Sequence, residues 1–121
     1  MATNIAWVEI PVTNLARAMK FYRAVLGVKV KKTNFPGEKI AILSAGAKLN
    51  GGSLCQSKKA KPGKTGPLIY YSVDGRIEAA CKAAVKLGGK LLLPPQSAGK
   101  YGYRAIILDC EGNRIALHSK K

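Results

Sequence analysis

Few side chains in this chain are suited to acid–base, metal or anion chemistry, and they lie far apart in the sequence. Glu9 is the first acidic residue and sits among apolar residues, where a carboxylate could act as a general acid or base or bind a cation. His118 is the sole histidine and could be a base or a metal ligand. Arg104 could hold a carboxylate or phosphate through two parallel hydrogen bonds. A structural role is the alternative for each: Glu9 paired with a hydroxyl or with Arg104, and His118 exposed near the last residue.

The three cysteines favour no disulfide framework and no zinc cluster. Cys55, Cys81 and Cys110 are odd in number, far apart and not arranged as CxxC. The sequence predicts reduced thiols packed as small apolar groups. Cys55 has no base near it in sequence, so nucleophilic catalysis has little support there.

The net charge is strongly positive. Among 121 residues, 21 Lys+Arg oppose 6 Asp+Glu, which gives a formal charge of +15. Most of the cationic residues are lysines. Recognition of base edges in DNA favours arginine, whose guanidinium donates two parallel hydrogen bonds, so sequence-specific nucleic-acid binding is disfavoured. Solubility, a polyanion partner and an anionic small ligand stay open as explanations. No apolar run is long enough for a membrane span and no secretory signal is evident, so we expect a cytoplasmic protein with no membrane partner.

The chain is an internal duplication. With an offset of 61 residues, the strand-like stretch from Trp7 to Val12 matches that from Leu68 to Val73, and Leu26-Gly27 matches Leu87-Gly88. By the last strand the offset is 63, where Leu54 matches Leu117. A helix follows each first strand, with Thr13 or Asn14 as N-cap and Gly27 as terminator in the first copy, and Asp74 as N-cap and Gly88-Gly89 as terminator in the second. Three further strands are predicted in each copy: 28–32, 39–44 and 52–56, then 90–93, 103–109 and 114–119.

These patterns predict one α+β domain over residues 1–121, made of two βαβββ modules. Module 1 is 4–56, a basic linker is 57–66 and module 2 is 67–119. The linker is rich in lysine and glycine with little to bury, so we expect a mobile connector, with a basic lid over an anionic ligand as the alternative.

Five short motifs in order along the chain carry a resemblance to a known family. They are Glu9-Ile10-Pro11-Val12, Phe21-Tyr22 ahead of Leu26-Gly27, Gly88-Gly89-Lys90, Tyr101-Gly102-Tyr103 and Asp109-Cys110-Glu111-Gly112-Asn113. Together they resemble the glyoxalase/bleomycin resistance/dioxygenase (vicinal oxygen chelate) superfamily, in which proline is more usual than Cys110. The resemblance implies two βαβββ modules whose curved sheets form a half-open cup, commonly in a homodimer.

The resemblance also implies four metal-ligand positions, one on the first and one on the last strand of each module. They fall here on Trp7, approximately Ser53, Leu68 and Ala116. Metal-dependent members have His, Glu or Gln at such places, whereas indole, isobutyl and methyl groups donate no lone pair to a metal. We therefore expect no metal cofactor, and the family's metal-dependent activities cannot be inherited on these residues. An atypical divalent ion held by Glu9 and His118 is the alternative.

Polar neighbours two residues away share a face with each of these four positions, because side chains alternate along a strand. The pairs are Trp7 with Glu9, Ser53 with Cys55, Leu68 with Tyr70, and Ala116 with His118. Trp7, Tyr70 and Tyr101 could form aromatic walls for a flat ligand, or simply pack in the core.

Three functions follow as hypotheses. The first is a metal-free module that binds a small aromatic or anionic compound in the cup. The second is an enzyme of lyase, isomerase or dioxygenase type that uses Glu9 as acid or base, or an atypical metal site. The third is a basic protein with a polyanion partner.

Overall fold

The computed structural model describes residues 3–44 and 51–121, and it shows the same order of elements twice. The first module runs β1 (Val8–Val12), α1 (Leu15–Leu26), β2 (Val30–Phe35), β3 (Glu38–Leu43) and β4 (Gly52–Gln56). The second runs β5 (Ile69–Ser72), α2 (Ile77–Lys86), β6 (Lys90–Ser97), β7 (Tyr103–Leu108) and β8 (Arg114–Ser119). The predicted tandem βαβββ fold of α+β class is confirmed.

Each module forms a four-stranded mixed sheet with the same strand order. The orders are β1-β4-β3-β2 and β5-β8-β7-β6. The first and last strands of a module pair in parallel, and the other pairs are antiparallel. The shared topology explains why the two halves of the sequence align with each other at offsets of 61 to 63 residues.

Helix α1 begins and ends where the sequence predicts. The Asn14 side chain accepts a hydrogen bond from the Arg17 backbone N–H at 3.1 Å, and Gly27 ends the helix in the left-handed conformation at φ 68°. Its apolar stripe is buried at Leu15, Ala18, Phe21, Tyr22, Val25 and Leu26. These side chains belong to one buried cluster that draws on both modules, so neither copy has a core of its own.

Both ends of α1 are completed by side chains from the second module. At the N-terminus, the Glu111 carboxylate accepts hydrogen bonds from the backbone N–H groups of Thr13 at 2.7 Å and Asn14 at 3.1 Å. At the C-terminus, Arg76 donates to the carbonyl oxygens of Val25 at 2.7 Å and Ala24 at 3.1 Å. An anion at the N-terminus and a cation at the C-terminus both complement the helix dipole.

A buried network around Asp109 joins the modules beside α1. The Asp109 carboxylate accepts from the Tyr22 hydroxyl at 2.5 Å and from the Asn113 backbone N–H at 2.8 Å. Burial, then the charge of Asp109, raises the pKa of Tyr22 well above its usual value. The Asn113 side-chain amide donates to the Pro11 carbonyl at 2.8 Å, which ties β1 to the same turn.

Two local predictions were wrong. Asp74 does not cap α2: it accepts from the Lys120 backbone N–H at 2.7 Å, and α2 begins after Arg76 without a side-chain cap. Strand β6 continues past the predicted 90–93 to Ser97, with register shifts on its way through Pro94-Pro95. Prolines fit there because β6 is an edge strand whose outer N–H groups have no strand partner.

The linker 57–66 is tied to the second module. The Gly63 backbone N–H donates to the Asn113 side-chain oxygen at 3.1 Å. Within the linker, the Lys59 backbone N–H donates to the Ser57 hydroxyl at 3.1 Å. The segment that we expected to be a mobile connector is therefore anchored near its middle. Over the described residues, neither helix is long and apolar enough to cross a membrane.

We predict that Glu111→Ala lowers the free energy of unfolding by about 2–3 kcal/mol, because the buried carboxylate also pairs with Arg17 at 2.8 Å. Burial alone would raise the pKa of Glu111, but hydrogen bonds from Thr13, Arg17 and Asn14 lower it below 4.5. Its contribution is therefore present above pH 4.5 and is lost as the pH falls through the folded-state pKa. Urea unfolding at neutral pH and at about pH 3 measures both effects.

The exposed Glu38 supplies the matched control. We expect Glu38→Ala to change stability by less than about 0.5 kcal/mol. If Glu111→Ala lowered the free energy of unfolding by the same amount at both pH values, the ionised carboxylate could not be the source of the stabilisation.

Candidate functional site

A row of polar side chains crosses the second sheet on the face opposite its helix. Ser72 pairs with His118, His118 with Arg104, and Arg104 with Gln96, so the four residues lie side by side on β5, β8, β7 and β6. Because residues in register across a sheet share a face, their side chains project together. The strand register alone assembles this row.

Arg104 is fixed in the row by Tyr70. The Arg104 Nη1 donates to the Tyr70 hydroxyl oxygen at 2.6 Å. Tyr70 pairs with Ala116 one row away and is 46% exposed. The predicted alternative, in which Arg104 pairs with Glu9, is wrong: the guanidinium contacts Tyr70, and Glu9 lies on the other sheet. Among residues 3–44 and 51–121 the Arg104 side chain has no further hydrogen-bond partner, so its remaining donors could meet a ligand.

His118 is oriented by the turn before β7. Its Nε2 donates to the Tyr101 carbonyl oxygen, which fixes the tautomer of the neutral ring and leaves Nδ1 as an acceptor. A side chain at Gly102 would collide with the Ser119 carbonyl oxygen, and Gly102 has φ 98°. Only glycine therefore lets this turn approach β8 closely enough for the contact with His118.

These side chains surround an open cavity of about 640 Å³. The volume lies within the range of about 300 to 1,000 Å³ usual for small-molecule sites. Tyr101, 67% exposed, stands at its margin. The lining residues are Tyr70, Ser72, Gln96, Ser97, Ala98, Tyr101, Arg104 and His118.

A second group of predicted residues lies on the first sheet. The Trp7 indole Nε1 donates to the Ser53 hydroxyl at 3.2 Å, and Glu9 pairs with Ser53 across β1 and β4. Burial, then a hydrogen bond to Glu9 and its charge, raises the pKa of the Cys55 thiol to about 11. Cys55 is therefore protonated near neutral pH and is a poor nucleophile. Glu9 itself is exposed.

The residues at the four metal-ligand positions do not fit a divalent ion. The Ser53 hydroxyl, the one oxygen among them, is engaged by Trp7. Ala116 is fully buried and Leu68 is partly buried, and both side chains are hydrocarbon. Across residues 3–44 and 51–121, no group of three or more His, Cys, Asp and Glu side chains is close enough to hold a metal.

The structure thus divides the predicted site residues into two groups. Tyr70, Tyr101, Arg104 and His118 meet around one cavity, whereas Trp7, Glu9, Ser53 and Cys55 cluster on the other sheet. Leu68 and Ala116 are outside the cavity lining.

Sequence reasoning missed Ser72 and Gln96. Alternation from Tyr70 could have found Ser72. Gln96 lies beyond the two prolines in a segment that reads as a loop, so no simple pattern indicated it.

Comparison with known proteins agrees with the fold. The chain matches the model of the Glyoxalase/Bleomycin resistance protein/Dioxygenase superfamily over residues 4–117. A glyoxylase-like domain-containing protein of Didymella fabae is 31% identical over 118 residues, which cover 94% of this chain and 91% of the relative.

Solved structures show the same architecture at low identity. A glyoxalase/bleomycin resistance protein from Albidiferax ferrireducens T118 has a TM-score of 0.75 at 18% identity, covering 97% of this chain and 98% of its own. Glyoxalase I from Zea mays has a TM-score of 0.73 at 24% identity, and the match covers 95% of this chain but 45% of the maize chain. The family match over nearly the whole chain and the doubled βαβββ topology lead to one conclusion: the chain belongs to the glyoxalase/bleomycin resistance protein/dioxygenase superfamily.

Proposed function

We propose that the protein binds a small aromatic anion in the cavity on the second sheet, without a metal. The observation that carries the proposal is the set of Arg104, His118, Tyr70 and Tyr101 around one open space of about 640 Å³. A guanidinium and an imidazole supply polar contacts, and two phenol rings supply flat surfaces. Pockets of this kind orient a ligand through a few polar groups among apolar or aromatic walls.

The electrostatics of the cavity favour an anion. Of the described residues that line it, none is acidic, and Arg104 carries a full positive charge. Tyr70 holds the guanidinium on the sheet, so little side-chain freedom is lost when a carboxylate binds. The formal charge of +15 would also attract anions toward the protein at low salt.

His118 is suited to bind as well. With Nε2 donating to the Tyr101 carbonyl, its Nδ1 can accept a hydrogen bond from a hydroxyl or amide of the ligand. A ligand carboxylate bound by Arg104 and a ligand hydroxyl or amide bound by His118 would together fix the orientation of a flat compound.

The enzymatic alternative has less support. Glu9 and His118 lie on different sheets, Glu9 near Cys55 and His118 against Tyr101. An acid–base pair or a metal site made of the two needs donors that converge on one point. Activities named for the relatives, such as glyoxalase I, therefore stay with those proteins.

We also propose that the protein is a cytoplasmic homodimer. Trp7 is 48% exposed and Tyr70 is 46% exposed, both on helix-free sheet faces. Large aromatic side chains at the surface are enriched at protein interfaces and ligand sites. Native mass spectrometry of gently purified protein would show a dimer, and a monomer at all concentrations would exclude the assembly.

We predict that 2-naphthoate, a flat aromatic carboxylate, binds the protein and that Arg104→Gln weakens binding by about tenfold, because a charge-assisted hydrogen bond is lost. Isothermal titration calorimetry measures the affinity. Lys86→Gln, which removes one exposed charge on α2, is the matched control and should change the affinity less than about threefold. Equal weakening by both variants would show attraction to overall charge and would exclude the cavity.

We further predict that the purified protein carries no stoichiometric divalent metal and that chelator treatment leaves 2-naphthoate binding unchanged. The reason is the donor set at Trp7, Ser53, Leu68 and Ala116, which offers one engaged hydroxyl. Native mass spectrometry reports bound metal directly. One metal ion per chain that is lost in Glu9→Gln or His118→Gln would overturn the metal-free proposal and favour the enzymatic one.

A further inference from the structure

A second cavity, of about 1020 Å³, lies beneath the linker and away from the second-sheet row. It is bounded by the end of β1, the β2–β3 turn and the linker itself. Four lysines stand around it: Lys39 on β3, and Lys58, Lys59 and Lys61 on the linker. We call this feature the basic groove.

The charge of the basic groove is largely uncompensated. The one ion pair found among the described residues joins Arg17 to Glu111. Within that part of the chain, none of the four lysines of the groove therefore has a carboxylate in ion-pairing range. Two acids also border the groove, Glu38 and Glu111. The Glu111 carboxylate is occupied by Thr13, Asn14 and Arg17, so Glu38 alone opposes the four ammonium groups.

Backbone hydrogen bonds restrain the part of the linker that carries Lys58, Lys59 and Lys61. Gly63 is fastened to Asn113, and Asn113 belongs to the buried Asp109 network. Lys59 is fastened to Ser57. The hydrogen bond at Gly63 tethers the chain two residues after Lys61, and the Ser57–Lys59 turn restrains the backbone before it, which lowers the entropy that would be lost when these ammonium groups gather around an anion.

We propose that the basic groove binds a small organic polyphosphate. Several ammonium groups from two segments suit a ligand with several charges, and lysine is an effective phosphate binder as a point charge. Ala60 and Pro62 add a small apolar surface for the organic part of the ligand. The described lining contains no aromatic ring, so the stacking platform that a single nucleic-acid strand uses is missing.

The test is a calorimetric titration of the whole protein with inorganic tripolyphosphate at low ionic strength. Lys58→Gln/Lys59→Gln should weaken binding by about tenfold or more, because each lost lysine removes a charge-assisted contact. Lys39→Gln, on a different element, should weaken it as well. The matched control is Lys82→Gln/Lys86→Gln, which removes two exposed charges from α2 and should have less than about a threefold effect.

Three results would overturn the proposal. Equal weakening by the two double variants would indicate diffuse attraction to the net charge. Loss of tripolyphosphate binding in Arg104→Gln would place the anion in the second-sheet cavity. Binding of oligothymidylate in preference to tripolyphosphate, with the same loss in Lys58→Gln/Lys59→Gln, would assign the groove to a nucleic-acid strand. Because 2-naphthoate reports on the other cavity, failure here leaves the function proposed above standing.

Discussion

The turn from Asp109 to Asn113 carries the interaction on which the rest of the structure depends. Asp109 is 2% exposed, and a carboxylate removed from water is tolerable only when its oxygens are hydrogen-bonded. Tyr22 from the first module and Asn113 from the second meet that demand together. The modules are therefore joined by a polar contact that is satisfied only when both are in place.

That constraint reaches the helix-free faces of the two sheets through α1. The helix is held at one end by Glu111 and at the other by Arg76, and it packs against α2, which leaves the opposite face of each sheet without a covering helix. One face carries the Arg104 row and the other carries Trp7 and Glu9. A scaffold of this kind keeps its geometry while the side chains on the open faces change, which is why family membership establishes the fold and leaves the chemistry to the residues.

The sequence predicted the duplication, the element types and the ends of α1, because hydrophobic alternation and a glycine terminator depend on local physics. It failed where a distant partner decides the outcome. Asp74 has the side chain of a helix cap but is engaged by the Lys120 backbone, and Gln96 joins the polar row only because β6 continues through two prolines. Residues 45–50, which lie between β3 and β4, are outside the described structure. The anchoring of the linker by Asn113 likewise depends on a contact 50 positions away.

The capping of α1 also shows that the two copies are not equivalent, because the second caps the helix of the first without being capped in return. With the offset of 63 that relates the last strands, the counterparts of Asp109 and Glu111 are Gly46 and Lys48, and with the offset of 61 the counterpart of Arg76 is Leu15. The first copy thus lacks the groups with which the second secures its neighbour's helix, and α2 begins without a side-chain cap. The two halves have therefore diverged: the second supplies the side chains that bind the helix ends, and the first supplies the helix that they bind. Two copies of the first half would lack Glu111 and Arg76, and two copies of the second would lack Tyr22, the buried partner of Asp109.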